Sequence, residues 1–359
     1  MKVSFRVALF AVLPLLSAAS QASWTVQRFF VEGSTSSRIR HGNGTIQVGS
    51  AVINGVTQGG YWSGTSNSWV SILPAGAASS VTYQVFEDKV YGTVNTSGQF
   101  RAGYWSTTTN SWTSVHPDGA TGSEIRAADG NQYAGYINYP GVPSRASVWN
   151  LTSGTTVNLV PNGFYSASLS DMENGRQVGN LRPTNAGGSL AVLWSSTAES
   201  YVNLNPVGYI GSNASGISGD QQVGSARNSS FRDVAALWRG TKESFVNLNP
   251  TGATTSEARG VFNGIQVGGA TFGSTFKAGL WTGTSNSWVD LHATLTGYSS
   301  SAANDIWSDG VNYYISGQGF NTATNQQEGL LWTQPVPEPA TMIGLGIGLI
   351  ALRRKKKLA

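Results

Sequence analysis

Seven tryptophans (Trp62, Trp105, Trp149, Trp194, Trp238, Trp281 and Trp332) each lie 13 to 15 residues after a glycine that closes a short run rich in Val, Ile or Tyr. The glycines are Gly49, Gly92, Gly135, Gly179, Gly224, Gly268 and Gly317. Successive tryptophans are 43, 44, 45, 44, 43 and 51 residues apart, a period that fits four short strands with their turns, the unit of a β-propeller blade. The chain is therefore read as all-β, a seven-bladed β-propeller of four-stranded blades. No stretch of the repeats keeps an apolar 3.6-residue period over several turns, which argues against a helical domain.

The copies agree in detail. Seven residues after the tryptophan stands a large side chain (Trp69, Trp112, Tyr201, Phe245, Trp288), with Thr156 the exception, and three further on an aliphatic one (Ile72, Val115, Leu159, Leu204, Leu248, Leu291). Each copy divides into a small-residue strand such as SEARGV at Ser256, the QVG strand, the AGLW strand and the SWVDL strand. Between the first two stand Asn43-Gly44, Asp129-Gly130, Asn174-Gly175, Asn263-Gly264 and Asp309-Gly310, pairs that accept positive φ and suit two-residue hairpins. Prolines at 74, 117, 161, 206 and 250 end the fourth strand, because proline donates no ladder hydrogen bond.

The last copy lacks its fourth strand: Trp332 runs into TQPVPEP. The missing piece is matched at the other end by ASWTVQRF, where Ser23, Trp24 and Val26 resemble the NSWVSI segment at Asn67. Pairing of this segment with the GLLW strand closes the ring and removes two raw sheet edges. The small-residue strand is then innermost, where blades crowd the axis, with Ala214, Ala258 and Ala303 facing that crowding. The repeat domain is expected to span residues 23–334.

The two ends are addresses. Residues 1–22 carry Lys2 and Arg6, an apolar run from Val7 to Leu16, and the small residues of SAASQA before a cleavage point after Ala22, the order of a secretory signal. Residues 335–359 hold Pro337-Glu338-Pro339, a Gly-rich apolar stretch ending at Leu352, and the cluster Arg353, Arg354, Lys355, Lys356 and Lys357. The apolar stretch is shorter than the roughly 20 residues that span a bilayer, and the basic cluster stays on the cytoplasmic side.

This tail resembles the PEP-CTERM sorting signal of Gram-negative bacteria, with Pro337, Glu338 and Pro339 as the sorting motif. The resemblance implies transient anchoring in the inner membrane, recognition by an exosortase-type sorting protease, cleavage near the motif, and passage through the periplasm to the cell surface, the medium or an exopolysaccharide matrix. The repeats are similar to extracellular HAF-type repeats in the ALW triad at Ala236–Trp238, the VNL run at Val246–Leu248 and the GIQVGG run at Gly264. They depart from that pattern at its His-Ala-Phe element, where VAALW and KAGLW stand instead.

Composition narrows the chemistry. Of 22 Lys and Arg, seven lie in the terminal signals, and of 18 Asp and Glu one does, leaving 15 cations against 17 anions. A near-neutral domain without a basic patch argues against a nucleic-acid partner. With no cysteine, thiol catalysis and disulfides are excluded. His116 and His292 share one repeat position with Asn205 and Asn249, which reads as a solvated loop side chain. Asp171, Glu173, Asp233 and Asp290 read as turn or strand-face residues, and no spacing singles out a pair of acids for hydrolysis. No calcium loop, other metal site or cofactor site is apparent. The repeat tryptophans read as core. Trp307 breaks the pattern, lies near a hairpin turn, and is the candidate for stacking on a ligand.

Two functions fit this pattern. One is an exported, noncatalytic surface or matrix protein whose propeller is a scaffold for polysaccharide or surface-protein ligands. The other is a secreted polysaccharide hydrolase or lyase with its site at the central channel, where convergent, partly buried carboxylates would mark it.

Overall fold

The computed structural model describes residues 23–337 apart from 143, 151–152 and 185–186, and Trp24–Gln334 is one compact unit. The signal segment 1–22, and Glu338, Pro339 and the tail beyond them, lie outside the described residues. Among the described residues there are 28 strands, β1 to β28 in chain order. β1 is Thr25–Phe29, and β2 (Ser34–Asn43), β3 (Ile46–Ile53), β4 (Val56–Ser63) and β5 (Val70–Ser71) follow as an antiparallel meander.

The same unit recurs in five separate four-stranded sheets: β6–β9 (79–114), β10–β13 (122–158), β14–β17 (164–203), β18–β21 (211–247) and β22–β25 (255–290). β26 (Tyr298–Ser308), β27 (Asn312–Asn321) and β28 (Gln326–Pro335) pair in order, and β1 lies antiparallel on β28 from Thr25↔Thr333 to Phe29↔Gly329. A single parallel pairing, Ser36 with Gln327, joins this group to β2, so these eight strands form one sheet. The fourth strands are shorter than the sequence suggests. In SWVDL only Val289–Asp290 pairs, because Ser285–Ser287 turns as a 3₁₀ helix closed by the Ser287 hydroxyl.

The repeat tryptophans are core. Trp62, Trp194, Trp238, Trp281 and Trp332 are fully buried, Trp149 nearly so, and Trp105 is half-buried. The aromatic seven residues on packs against them, with ring centroids 4.4 Å apart for Trp62–Trp69 and 4.7 Å for Trp281–Trp288. That packing explains the glycine of AGLW: a Cβ on Gly279 would sit 2.1 Å from the Trp288 ring. The QVG glycine has another cause. A Cβ on Gly49 would lie 1.9 Å from the Arg38 carbonyl oxygen across the ladder, at the residue pair just before β2 bulges between Ile39 and His41.

The sheets are stitched by a repeated serine. Near the start of the first strand of a unit, its hydroxyl accepts the backbone N–H three residues before the tryptophan of the preceding unit. The pairs are Ser80 with Gly59 (2.9 Å), Ser123 with Ala102, Ser212 with Ala191, Ser256 with Ala235, and Ser301 with Ala278. The same contact joins β28 to β2: Gly329 N–H donates to Ser37 Oγ at 3.1 Å, and Ser37 Oγ donates to the Phe29 carbonyl of β1 at 2.6 Å. At the remaining junction the position is Ala167.

These serines also correct the reading of the histidines. His116 Nδ1 meets Ser123 Oγ at 2.7 Å while its Nε2 meets the Ala120 carbonyl at 3.0 Å, and His292 Nδ1 meets Ser301 Oγ at 2.8 Å. Asn205 and Asn249 accept from Ser212 and Ser256 through Oδ1 and donate through Nδ2 to the carbonyls of Tyr209 and Ala253. His and Asn interchange here because each offers one acceptor and one donor at this spacing. They are half-buried links between units, not free loop side chains.

Candidate functional site

The first strand of every unit bulges at one shared position, with a second shift near the start of β2, β14 and β26, and the shared bulges face a common cavity. Register shifts fall at Ile39/His41, Thr82/Gln84, Ile125/Ala127, Leu169/Asp171, Ala214/Gly216, Ala258/Gly260 and Ala303/Asp305. The extra residues, Arg40, Tyr83, Arg126, Ser170, Ser215, Arg259 and Asn304, line both of two adjoining cavities of about 490 and 390 Å³. A bulge leaves one residue out of the ladder and re-aims its side chain. It thereby turns a strand that otherwise buries Ala, Ile and Leu toward its neighbours into a source of polar groups.

The first layer of this site is basic. Arg126 lies over the Tyr83 ring at 4.5 Å and over Tyr136 at 5.5 Å, and pairs with Glu124. Arg259 pairs with Glu257 at 2.5 Å and donates to Asn304 Oδ1 at 2.7 Å. Arg40 lies over Tyr83 at 5.0 Å, and its Nε is buried without a hydrogen-bond partner. Burial, with Arg38 nearby, lowers the Arg40 guanidinium to about 10. Burial also lowers that of Arg38, which donates to the Ser50 hydroxyl. Among the described residues neither Arg38 nor Arg40 is within ion-pair distance of a carboxylate.

The second layer holds His41, Gln84, Asp171 and Asp305, one position further along their strands. Three of these serve the adjoining unit. His41 Nδ1 accepts the Val85 N–H at 3.4 Å, Gln84 Oε1 accepts that of Ala128, and Asp171 Oδ2 accepts that of Ile217 at 3.0 Å. The second oxygen of Asp171 takes the Met172 N–H at 2.8 Å. With Nδ1 accepting, the His41 proton sits on Nε2, which faces Asp305 Oδ2 at 3.4 Å. Burial pushes the Asp171 and Asp305 carboxyls up to about 7 and the His41 imidazole down to about 4. His41 and Asp305 still expose 26% and 23% of their side chains, so solvent moderates these shifts.

Asp171 is thus not the turn or strand-face residue that its sequence context suggests; it lines the cavity with Asp305 and His41. Of the other acids considered, Glu173 also lines the cavity and donors from Ser218 and Gly219 reach it, Asp233 pairs with Arg227 at 2.8 Å, and Asp290 pairs with Lys277 at 3.0 Å. Trp307 lines the cavity as well, yet it is only 7% exposed. It is packed with Phe29, Ile39 and Trp62, with Tyr314 stacked at 5.6 Å and His41 at 6.3 Å. Its ring supports the wall and has little surface left to offer a ligand. Among the described residues no group of three or more His, Asp or Glu is placed to hold a metal ion.

Comparison with known proteins bears on the two parts of the chain separately. Residues 335–357 match the PEP-CTERM protein-sorting motif. The chain carries an exosortase sorting signal. That signal marks it as an exported protein of the surface or extracellular space of a Gram-negative bacterium. No curated protein matches the chain by sequence. Solved structures match by fold. The β-propeller domain of the Trilobed protease from Pyrococcus furiosus, described as having an open velcro topology, is 9% identical with TM-score 0.56, over 85% of this chain and 97% of that one. A puromycin-hydrolyzing peptidase of Mycobacterium tuberculosis is 12% identical with TM-score 0.57, over 84% of this chain and 54% of that one. An oligogalacturonate lyase in complex with manganese is 7% identical with TM-score 0.54, over 87% and 96%. The fold is of the β-propeller type.

Proposed function

We propose that the protein is a seven-bladed propeller, closed by β1 as the outer strand of the last blade, that acts on the cell surface or in an exopolysaccharide matrix as a noncatalytic scaffold binding polysaccharide or a surface protein. Its tail is cut near Pro337, Glu338 and Pro339 by the sorting protease, and its repeats are of the HAF type. The observation that carries the binding reading is the convergence of the bulge residues on one polar cavity. Arginine, tyrosine, serine and asparagine in such a cavity are groups that hold hydroxylated or charged ligands. Of the carboxylates beside them, Asp171 is committed to structure: both its oxygens accept backbone N–H groups, one of them from the adjoining unit. Screening the mature domain on a glycan array tests the reading. Specific retention of one polysaccharide class is expected, and an array without any specific binder, together with no surface-protein partner by cross-linking, would remove it.

A second reading, a secreted polysaccharide hydrolase or lyase, is favoured by one observation. Asp305, with its carboxyl raised toward neutrality, sits 3.4 Å from His41 in the same cavity as Asp171, and perturbed acids in a cleft are where acid–base catalysis is found. Incubation with acidic and neutral polysaccharides is expected to release neither new reducing ends nor unsaturated sugars. Turnover that disappears in Asp305→Asn would establish the enzyme instead.

A further inference from the structure

The basic layer of the cavity has a charge imbalance that the fold does not resolve. Arg126 and Arg259 each have a glutamate partner, Glu124 and Glu257. Arg40, which faces the same cavity from another strand, has none, and its Nε is buried without a hydrogen bond. A guanidinium that lines a cavity with no carboxylate within ion-pair distance leaves its charge to be met by what enters that cavity. The space in front of it, about 390 Å³, is large enough for a monosaccharide or disaccharide, and is walled by the Tyr83 and Tyr136 rings, the hydroxyls of Ser168, Ser170 and Ser215, and one carboxylate, Glu257, which Arg259 neutralises. Guanidinium nitrogens match the paired oxygens of a carboxylate, and hydroxyl and amide groups match the ring hydroxyls of a sugar.

We propose that this arginine layer is an anion site that seats the carboxylate of an acidic sugar, with Arg40 as its principal partner and Arg126 and Arg259 flanking it. The proposal rests on the polysaccharide-binding reading and narrows it to uronic-acid-bearing glycans. The carboxylate is held by charge-assisted hydrogen bonds from Arg40, while Ser170 and Ser215 meet the hydroxyls of the same residue.

Isothermal titration of the purified full-length protein with a uronate oligosaccharide, its neutral counterpart, and inorganic sulfate and phosphate tests this. The uronate is expected to bind with an affinity that falls as salt rises, the neutral sugar far more weakly, and the inorganic anions weakly. Loss of one charge-assisted pair should weaken uronate binding about tenfold or more in Arg40→Gln. Arg40→Lys, which keeps the charge and loses the planar fork, should fall between, and it serves as the test if Arg40→Gln fails to fold. Equal binding of neutral and acidic sugars, with no response to either Arg40 variant, would overturn the acidic-sugar site while leaving polysaccharide binding intact. Sulfate or phosphate binding as tight as the uronate would also overturn it, in favour of an inorganic anion site. Absence of binding to any sugar would remove both this proposal and the reading it rests on.

Discussion

The unit made from both ends of the chain differs from those made from one continuous stretch in how its outer strand is held. In β22–β25 the outer strand is two residues long and contributes two pairs, Gly279↔Asp290 and Leu280↔Val289. β1 contributes five pairs to β28. Around it lies a polar network larger than the single Lys277–Asp290 pair that ties β25 to β24. Glu328, with its side chain 1% exposed, accepts two bonds from Arg28 of β1 at 2.7 and 2.8 Å and further ones from Tyr298, Asn321 and Thr324. Phe29 is fully buried edge-on to Trp62 at 5.7 Å. A short outer strand on a continuous chain is tethered a few residues from its partner, whereas β1 must be recruited across some 300 residues of chain. Closing so long a loop has an entropic cost that extra pairing, a buried aromatic and a charged network offset.

Removing the whole strand is the severest way to break this comparison. Deletion of residues 23–30 should expose the β28 edge, leave Glu328 without its cation, and give a protein that aggregates on expression or melts far below wild type, as read by denaturant unfolding and light scattering. Next in size is the aromatic anchor. Phe29→Ala should lower unfolding free energy by about 3–5 kcal/mol. Trp24→Ala should cost less, about 1–2 kcal/mol, since Trp24 is only half-buried beside the core of the last unit. Equal effects would mean that β1 is held as firmly at its start as at its end.

The charged network is a smaller contributor. Burial raises the Glu328 carboxyl, but its bonds to Arg28 and Tyr298 outweigh that and hold it below its ordinary value. A depressed carboxyl stabilises above its unfolded pKa and loses that contribution as pH falls. Glu328→Gln should therefore cost about 2 kcal/mol near neutrality, a deficit that shrinks in melts taken below pH 4.5.

The seam between the last and first units predicts the opposite pH trend. With the Asp305 carboxyl raised from 3.8 to about 7, stability is fully present below its unfolded value and declines as pH rises through that window. Relative to wild type, Asp305→Asn should gain stability between pH 4 and 7. The gain is the smallest expected effect, because a quarter of the side chain is exposed.

Much of this fold is written in local chemistry. The period, the tryptophans and the prolines follow from blade geometry. The QVG glycine marks the pair before the bulge, and Asn174-Gly175 and Asn263-Gly264 take positive φ at both residues, as a tight hairpin requires. The matching piece for the last unit was legible too, because ASWTVQRF repeats the polar–aromatic–aliphatic order of outer strands. The cavity was not. Arg40, Tyr83, Arg126, Ser170, Ser215 and Arg259 each stand nine residues before the repeat glycine, but as a set they share no chemistry, and only the bulge brings them together. The available signal was that irregularity: a varied polar column inside an otherwise uniform repeat. Asp171, Asp305 and His41 were hidden for a related reason, since each comes from a different copy and their proximity is purely tertiary.

Closure through β1 is the claim on which the blade count and the shared cavity both depend. The chain contains no cysteine, so a pair introduced as Thr25→Cys and Thr333→Cys can form one disulfide only, between residues that face each other across the β1–β28 ladder, at a separation suited to such a bond. Mild oxidation of the purified variant, followed by non-reducing electrophoresis and peptide mass mapping, should show near-complete intramolecular cross-linking between Cys at these two sites and no covalent dimer. Free thiols after oxidation, or dimers alone, would mean that the N-terminal strand does not close the ring.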